Sequence, residues 1–233
     1  MNFATWEPVY EAILEDFGFA RASDERGRDL LADLVADAET LRPDALDFAG
    51  QRVAVAGAAP SLADELDVVR DADAVVAASD AATVCREHGV AVECMVTDLD
   101  ERGDIVRTLT HEGTPVAVHA HGDNKPAVRE RVPELALDAV LPTTQAEPIP
   151  PVYNTGGFTD GDRAAFLADE CGAAELVFAG WNFDGPDSDP TKRRKLTWAE
   201  RLLRWLERRR GERFSVLDGR RDAIDESVLP GPN

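Results

Sequence analysis

The sequence predicts an α/β fold: a mostly parallel, Rossmann-like sheet with helices on both faces and an N-terminal helical arm. Six short apolar segments alternate with amphipathic stretches, the links between them are short, and polar or glycine residues follow the apolar segments. Such alternation is typical of parallel strands whose crossover helices cover both faces of the sheet. At 233 residues the chain is long enough to bury the core of one such domain.

Residues 1–48 are predicted to form a helical arm packed on the main domain. Apolar residues recur with helical spacing in two stretches, from Trp6 to Phe17 and from Leu30 to Leu41. Gly18 and the Ser23-Asp24 pair separate the two helices, because glycine ends helices and Ser and Asp favour helix starts.

Residues 49–217 are predicted to form the α/β catalytic domain. Its predicted strands are Arg52–Ala56, Ala74–Ala78, Cys94–Thr97, Pro115–His119, Ala139–Leu141 and Glu175–Gly180. Its predicted helices are Leu62–Arg70, Ala81–His88, Glu101–Glu112, Pro126–Val132, Arg163–Cys171 and the amphipathic Leu196–Arg209. Residues 218–233 mix charge with Pro and Gly and are expected to form a frayed tail.

The charge balance excludes two classes of partner. The chain has 45 acidic and 25 basic residues and a net charge of −20. A nucleic-acid groove needs a basic face, and anionic lipid attracts basic segments, so we expect neither nucleic acid nor membrane as a partner. Few lysines and many short acidic and apolar side chains are typical of organisms with molar salt in the cytoplasm, where screening reduces self-repulsion. We therefore interpret the acidity as halophilic adaptation.

Neither cysteine spacing nor the N-terminus indicates a secreted or membrane protein. Cys85, Cys94 and Cys171 are scattered and lack CxxC spacing, so free buried thiols are expected. The N-terminal residues lack a basic patch and an apolar run, and no apolar stretch is long enough to span a bilayer. We expect a cytoplasmic protein.

Two carboxylates, Asp98 and Asp100, follow the predicted third strand. They are two residues apart, so in an extended segment both side chains leave on the same side. In open α/β sheets ligands bind outside the carboxyl ends of the strands, and Mg²⁺ takes one or two carboxylates while water and phosphate fill its other positions. The pattern indicates a magnesium site. The alternative is a pair of solvated loop acids, which are common in so acidic a chain.

The turns after the first two strands give weaker signals. Gly57 permits a tight turn, and free N–H groups at the following helix start can receive a phosphate, which makes Gly57, Pro60 and Ser61 candidates for nucleotide binding. The alternative is an ordinary strand–helix turn capped by Ser61. Asp80, after the second strand, is either a helix N-cap or a contributor to the same crevice.

The string His119–Asn124 follows the fourth strand. Two histidines at alternate positions suggest zinc, but a third ligand at matching spacing is missing, and Gly-Asp-Asn suits oxygen-ligand chemistry better. We therefore predict that Asp123 is a third acid facing Asp98 and Asp100, so that these three form the metal site.

The longest polar, glycine-rich run precedes the predicted helix that begins at Arg163. Gly156 and Gly157 allow close approach of backbone to a ligand, and Thr159 and Asp160 can cap the helix. Core packing calls for no such run, so a functional interpretation is favoured over a structural one.

All three lysines of the chain lie just after acidic motifs. They are Lys125, Lys192 and Lys195. A compact ammonium suits phosphate as a point charge, so these lysines are candidates for phosphate binding. The alternative for Lys192 and Lys195 is a solvated basic turn.

Together these segments resemble the archaeal 6-hydroxymethyl-7,8-dihydropterin pyrophosphokinases, distant relatives of thiamine pyrophosphokinase. The matching segments are Gly57–Leu62, Asp80-Ala81, Val96–Asp100, His119–Asn124, Gly156–Arg163 and Lys195-Leu196 with Trp198-Ala199. The resemblance implies Mg²⁺-dependent transfer of diphosphate from ATP to the pterin hydroxymethyl group, with release of AMP. It also implies a place in the synthesis of a pterin cofactor, tetrahydrofolate or tetrahydromethanopterin.

The resemblance implies roles for the candidate residues. The predicted ligands that hold Mg²⁺ against ATP are Asp98, Asp100 and Asp123. The cations that would offset phosphate charge are Lys125, Arg163 and Lys195. ATP and a reduced pterin are thus the expected partners, and we leave a homo-oligomer open.

The pterin needs a flat slot with hydrogen-bond partners on one edge, which Asn154, Asp160 or Asp184 could provide. The chain departs from its relatives at Ala59, where they often carry the second glycine of GxGPS. If this turn touches phosphate, the departure puts its geometry in question.

Three other functions stay open from the sequence. The Gly57–Leu62 string also resembles a nucleotide-sugar loop of sialyltransferase-like glycosyltransferases, which need no paired acids such as Asp98 and Asp100. Thiamine could be the acceptor in place of a pterin. A non-enzymatic nucleotide-binding regulator would bind ATP without forming AMP.

Overall fold

The computed structural model describes residues 1–100, 104–184 and 189–231. Its sheet has six strands: β1 (Arg52–Ala56), β2 (Ala74–Ala78), β3 (Cys94–Thr97), β4 (Val116–Ala120), β5 (Val140–Thr144) and β6 (Glu175–Ala179). All neighbouring strands are parallel, in the order β5-β4-β3-β2-β1-β6. The predicted α/β class with a parallel sheet is confirmed.

The α-helices of the described ranges are α1 (Phe3–Phe17), α2 (Arg21–Val35), α3 (Leu66–Arg70), α4 (Ala81–Glu87), α5 (Ile105–His111), α6 (Lys125–Arg131), α7 (Asp160–Glu170) and α8 (Pro190–Arg210). The predicted helix at 62–70 is split, because a 3₁₀ turn at Pro60–Asp64 precedes α3. The start of the predicted helix Glu101–Glu112 lies outside the described residues, and α5 begins at Ile105.

Helices cover both faces of the sheet, as predicted. One hydrophobic cluster joins α1, α7 and α8 to one face, and a second joins α2 through α6 to the other. The cause is topological: right-handed crossovers from β1 to β5 all advance in one direction, whereas the return from β5 to β6 runs the opposite way and puts α7 on the opposite face.

The two N-terminal helices pack on opposite faces of the sheet. Trp6 and Tyr10 of α1 lie in the first cluster, and Leu31 of α2 lies in the second. The chain passes between the two faces at Gly18, whose φ of 68° ends α1 in the left-handed conformation. This turn lies at the carboxyl edge of the sheet, so the N-terminal helices reach the place where ligands bind in such folds.

The segment after residue 217 contacts α8 through ion pairs. Arg220 pairs with Glu200, and Arg221 pairs with Glu207. Pro232 and Asn233, at the end of the predicted frayed tail, lie outside the described residues. The division into an arm (1–48), a catalytic domain (49–217) and a tail (218–233) stays a prediction. Within the described ranges, every helix is too short or too polar to cross a lipid bilayer.

Candidate functional site

A cavity of about 540 Å³ lies at the carboxyl edge of the sheet. The residue directly after every strand lies in its wall: Gly57, Ser79, Asp98, His121, Gln145 and Gly180. The turn between α1 and α2 and the first turns of α7 and α8 complete the wall. The cavity therefore occupies the position at which parallel α/β sheets bind ligands.

Three carboxylates converge in this cavity. Oxygen atoms of Asp98, Asp100 and Asp160 lie within 4.8 Å of one another, and Asp160 is the first residue of α7. The predicted set was Asp98, Asp100 and Asp123. The structure brings the first two together with Asp160, whereas Asp123 lines the same cavity outside the three-carboxylate group.

The convergence of Asp98 and Asp100 has a different cause from the one predicted. The segment is not extended, because Leu99 between them has a φ of 67°, in the left-handed region that disfavours side chains. Its side chain is 2 % exposed in the core, and the Thr97 hydroxyl accepts its N–H at 2.8 Å. Arg131 donates to the Leu99 carbonyl at 2.7 Å. The buried Leu99 thus anchors a tight turn that directs both acids into the cavity.

His121 orients Asp98. Its Nε2 lies 3.3 Å from Asp98 Oδ2, and its Nδ1 accepts the Asp123 N–H at 3.3 Å, so Nε2 is the nitrogen that donates to the carboxylate. Burial opposes ionisation of Asp98, but the hydrogen bond from His121 and the positive charge of Arg163 outweigh it. The pKa of Asp98 therefore lies below its ordinary value, and the carboxyl is ionised at neutral pH.

Asn124 joins the ends of β3 and β4. Its side-chain amide donates to the carbonyls of Asp98 and His119, each at 2.7 Å, and its Oδ1 accepts the His121 N–H at 2.9 Å. The residue is buried, so this part of the His119–Asn124 string shapes the wall. Asn124 is a residue whose role the sequence did not reveal.

His119 is buried behind the wall. Burial, together with the charges of Arg163 and His121, holds its pKa well below the usual value, so His119 is neutral. Among the described residues, the group of metal-binding side chains that converges is made of carboxylates alone. Such an oxygen-only set favours Mg²⁺ over zinc.

The glycine-rich run builds the start of α7. Thr159 is the N-cap, and a capping box joins it to the buried Asp162, whose carboxylate accepts the Thr159 N–H at 3.0 Å. The helix therefore begins at Asp160 and not at Arg163 as predicted. Burial raises the pKa of Asp162, although its hydrogen bonds with Thr159 and Phe158 oppose the rise.

Gly156 and Gly157, predicted to approach a ligand, have packing roles. A Cβ at Gly157 would lie 2.6 Å from the Arg163 Cα, and one at Gly156 would lie 3.0 Å from the Phe166 ring. Neither is among the described residues that line the main cavity. These glycines let the loop lie against the helix that carries Arg163.

Arg163 is 5 % exposed and links two walls of the cavity. It donates to Asp160 Oδ1 at 2.8 Å and to Gln145 Oε1 at 3.2 Å. Gln145 in turn donates to Asp24 Oδ2 at 2.8 Å, and Tyr10 donates to the same oxygen at 2.9 Å. A chain of hydrogen bonds therefore runs from the N-terminal helices to the three-carboxylate group.

Sequence reasoning missed Tyr10, Asp24 and Gln145. Gln145 directly follows β5, but the predicted strand stops at Leu141, so the rule that drew attention to the other strand ends did not reach it. The sequence marks Asp24 only as part of a helix start, and it lies within the first turn of α2, where an acid is ordinary helix chemistry.

The three lysines differ in placement. Lys192 and Lys195, one turn apart on α8, both line the cavity. Lys125 is not among the described wall residues: its ammonium donates to the Ser23 hydroxyl at 3.0 Å and to the Gly122 carbonyl. Lys125 thus fastens the loop after β4 to α2.

The turn after β1 passes very close to the turn after β6. A Cβ at Gly57 would lie 2.5 Å from the Gly180 oxygen, so a side chain at position 57 would clash with the neighbouring turn. Gly180 itself has a φ of 71°, in the left-handed region that disfavours side chains. Ala59 has φ −70° and ψ 149°, the extended region that the residue before a proline prefers. The turn therefore needs no glycine at position 59, and an alanine there, in place of the glycine of GxGPS, does not disturb the turn.

The remaining predicted residues divide into two groups. Pro60 and Thr159 line the cavity. Ser61 and Asp80 are not among its described wall residues, and neither makes a side-chain capping bond to the helix that follows. The roles predicted for Ser61 and Asp80 in substrate binding gain no support from this geometry.

Two of the three residues predicted to hydrogen-bond the edge of the pterin, Asn154 and Asp184, are not among the described residues that line the cavity. The Asn154 amide donates to the Gln145 and Ala146 carbonyls, and the exposed Asp184 pairs with Arg220. Only Asp160 of this set lines the cavity.

Comparison with known proteins identifies the family of the chain. The family model described as 6-hydroxymethylpterin diphosphokinase MptE-like matches residues 33–188. A Methanothermobacter thermautotrophicus protein is 39 % identical over 225 residues, covering 89 % of this chain and 96 % of the relative. A Pyrococcus furiosus protein is 38 % identical (88 % and 94 % covered), and a Methanocaldococcus jannaschii protein is 29 % identical (88 % and 96 %). All three are named 6-hydroxymethyl-7,8-dihydropterin pyrophosphokinase. The chain belongs to the MptE-like family of 6-hydroxymethylpterin diphosphokinases.

Proposed function

We propose that the chain transfers diphosphate from Mg²⁺-bound ATP to 6-hydroxymethyl-7,8-dihydropterin and releases AMP, in the synthesis of tetrahydrofolate or tetrahydromethanopterin. The names of its relatives support the reaction type. The observation that carries the proposal is the convergence of Asp98, Asp100 and Asp160 in a cavity formed by the ends of all six strands.

The three carboxylates fit a magnesium ion. Ligand oxygens at about 2.1 Å from an octahedral ion lie at most about 4.2 Å apart. The carboxylate oxygens, within 4.8 Å of one another, are close to this arrangement. When bound, the ion neutralises phosphate charge and aligns the diphosphate for transfer.

Cations of the protein supply the rest of the charge balance. Lys192 and Lys195 line the cavity from α8, and Arg163 lines it from α7. Charge on the leaving AMP and on the transferred group grows as the bond between the α and β phosphates breaks, and positioned cations stabilise it. Because Arg163 is buried and held by two partners, its guanidinium is oriented before substrate arrives.

The bond changes define the products. The pterin hydroxymethyl oxygen bonds to the β-phosphorus and loses its proton, while the bond from the β-phosphorus to the oxygen bridging the α phosphate breaks. AMP leaves with that oxygen, and the pterin gains two phosphates. The cavity volume of about 540 Å³ lies in the range of small-molecule sites.

An acceptor panel tests the proposal. The chain is incubated in molar KCl with ATP, MgCl₂ and, separately, the reduced pterin, thiamine or no acceptor, and the products are separated by chromatography. We expect AMP and a pterin diphosphate with the reduced pterin only. Turnover of thiamine alone would indicate a thiamine pyrophosphokinase. ATP binding without turnover of any acceptor would contradict the proposal and favour a regulator or a glycosyltransferase.

A further inference from the structure

The cavity has two ends separated by the three-carboxylate group. Neighbouring strands lie about 4.8 Å apart, so β1 and β4 end about 14 Å from each other. The sheet order places β3, with Asp98 and Asp100 directly after it, between them. Gly57 and Gly180 lie at the end near β1 and β6, whereas His121 and Gln145 lie at the end near β4 and β5.

The end near β1 and β6 suits the nucleotide. The strand order reverses there, because the chain moves outward from β1 to β5 and then returns to pair β6 with β1. Nucleotides bind at such switch points in doubly wound sheets. Gly57 and Gly180 bring bare backbone to the cavity wall at this place, and Trp181 lies beside them.

The end near β4 and β5 is closed by the turn between α1 and α2. Asp24 accepts the Gly122 N–H at 2.7 Å and the Gln145 amide at 2.8 Å, which fixes this turn over the loops after β4 and β5. The turn contributes Phe19 to the wall, and the loop before α7 contributes Phe158. The centroids of both rings lie 5.1 Å from that of Phe17. The cavity therefore has aromatic walls beside this turn.

Asp123 offers a carboxylate at the same end. It follows Gly122 in the loop that Asp24 holds, it is exposed, and it lines the cavity. Among the residues the structure describes, its carboxylate has no hydrogen-bond or ion-pair partner. A carboxylate that neither joins the three-carboxylate group nor pairs within the protein is available to a ligand.

We propose that the acceptor pterin occupies this end, with its ring against Phe19 and Phe158 and its amino-oxo pyrimidine edge at Asp123. The inference rests on the proposed function. That edge presents two adjacent N–H donors, the 2-amino group and N3, and a carboxylate accepts both. Adenine and the thiamine pyrimidine present a donor beside an acceptor nitrogen, so Asp123 selects the pterin over both. The hydroxymethyl group then faces the phosphates held between the two ends.

A thermodynamic cycle that combines a protein variant with a ligand analogue tests the assignment. Wild type and Asp123→Asn are titrated by calorimetry in molar KCl with the reduced pterin and with its 2-deamino analogue. In wild type, removing the 2-amino group weakens binding by about tenfold or more, as does Asp123→Asn with the intact pterin. In Asp123→Asn, removing the 2-amino group weakens binding by less than about threefold, because the hydrogen-bond acceptor at position 123 has already been weakened by the substitution. Affinity for ATP changes by less than about twofold, since the nucleotide binds at the other end.

The control is Asp138→Asn, an exposed acid just before β5, at the opposite edge of the sheet. It makes the same charge change and is expected to leave both affinities unchanged. The assignment would be overturned if wild type and Asp123→Asn bound the reduced pterin with equal affinity. It would also be overturned if removal of the 2-amino group weakened binding by the same factor in both proteins. If wild type bound Mg²⁺-ATP but no pterin, the proposed function itself would be wrong, and the assignment with it.

Discussion

Arg163 and Asp160 form a 2.8 Å ion pair across one turn of α7, so a cation of the protein lies beside an acid of the three-carboxylate group. The other oxygen of Asp160 accepts the Ser79 hydroxyl at 3.1 Å. Asp160 is thus held by two elements before any ligand arrives. This preorganisation reduces the rearrangement needed when metal and phosphate enter.

Asp98→Asn is expected to lower kcat/KM by about a hundredfold or more, because a metal-binding oxygen loses its charge. The fold should survive, since Asp98 borders the cavity and does not fill the core. The measurement is turnover at high salt across a range of MgCl₂, with melting temperature as the check on folding and Asp138→Asn as the control. Activity within a few-fold of wild type would remove Asp98 from the metal site.

Leu99 combines a buried side chain with a left-handed backbone. We therefore expect an unusual order of stability for the variants Leu99→Ala and Leu99→Gly. Leu99→Ala should lower the free energy of unfolding by about 2–5 kcal/mol through loss of packing. Leu99→Gly loses the same packing but relieves about 1–2 kcal/mol of backbone strain. It should therefore be at least as stable as Leu99→Ala, whereas at an ordinary position glycine is the less stable by about 0.5–1 kcal/mol. Denaturant unfolding of both variants decides this.

Tyr10 is fully buried and donates to Asp24, and burial together with that carboxylate raises the pKa of its hydroxyl far above 10. The folded state therefore keeps a proton that the unfolded chain loses. The stabilisation is complete below pH 10 and declines above it, by up to about 1.4 kcal/mol per pH unit. Tyr10→Phe should abolish this component of the alkaline decline in the free energy of unfolding. Parallel slopes for wild type and Tyr10→Phe between pH 9 and pH 11 would contradict the assigned state of Tyr10.

Removal of salt is expected to destabilise the chain. With a net charge of −20, unscreened repulsion opposes the compact state, and molar salt shortens the screening length to about 3 Å. The melting temperature should fall steadily from molar KCl to dilute buffer. An unchanged melting temperature would argue against a halophilic origin of the composition.

The strand starts were predictable from the sequence because apolar runs of β-forming residues are local signals. The ends were harder, as β5 shows: the prediction stops at Leu141, and the next residue, Pro142, has no N–H to donate to a neighbouring strand. The strand continues to Thr144, because β5 is an edge strand and proline is tolerated there. Whether a strand lies at an edge is a property of the whole sheet.

The position of the site was also predictable, but its internal geometry was not. Asp98 and Asp100 could be located from the strand they follow. The identity of the third acid depends on where α7 begins, and the capping box of Thr159 and Asp162 decides this by placing Asp160 at the cavity. The role of Asp24 depends on a contact with Gly122, 98 residues away, which local patterns do not contain.

The nucleotide product of turnover tests the central claim most directly. ATP labelled in the γ phosphate is incubated with the chain, MgCl₂ and 6-hydroxymethyl-7,8-dihydropterin, with Asp98→Asn as the blank, and nucleotide and pterin fractions are analysed over time. Diphosphoryl transfer predicts AMP in proportion to a labelled pterin that carries two phosphates. ADP as the sole nucleotide product, with a pterin that carries one phosphate, would contradict it.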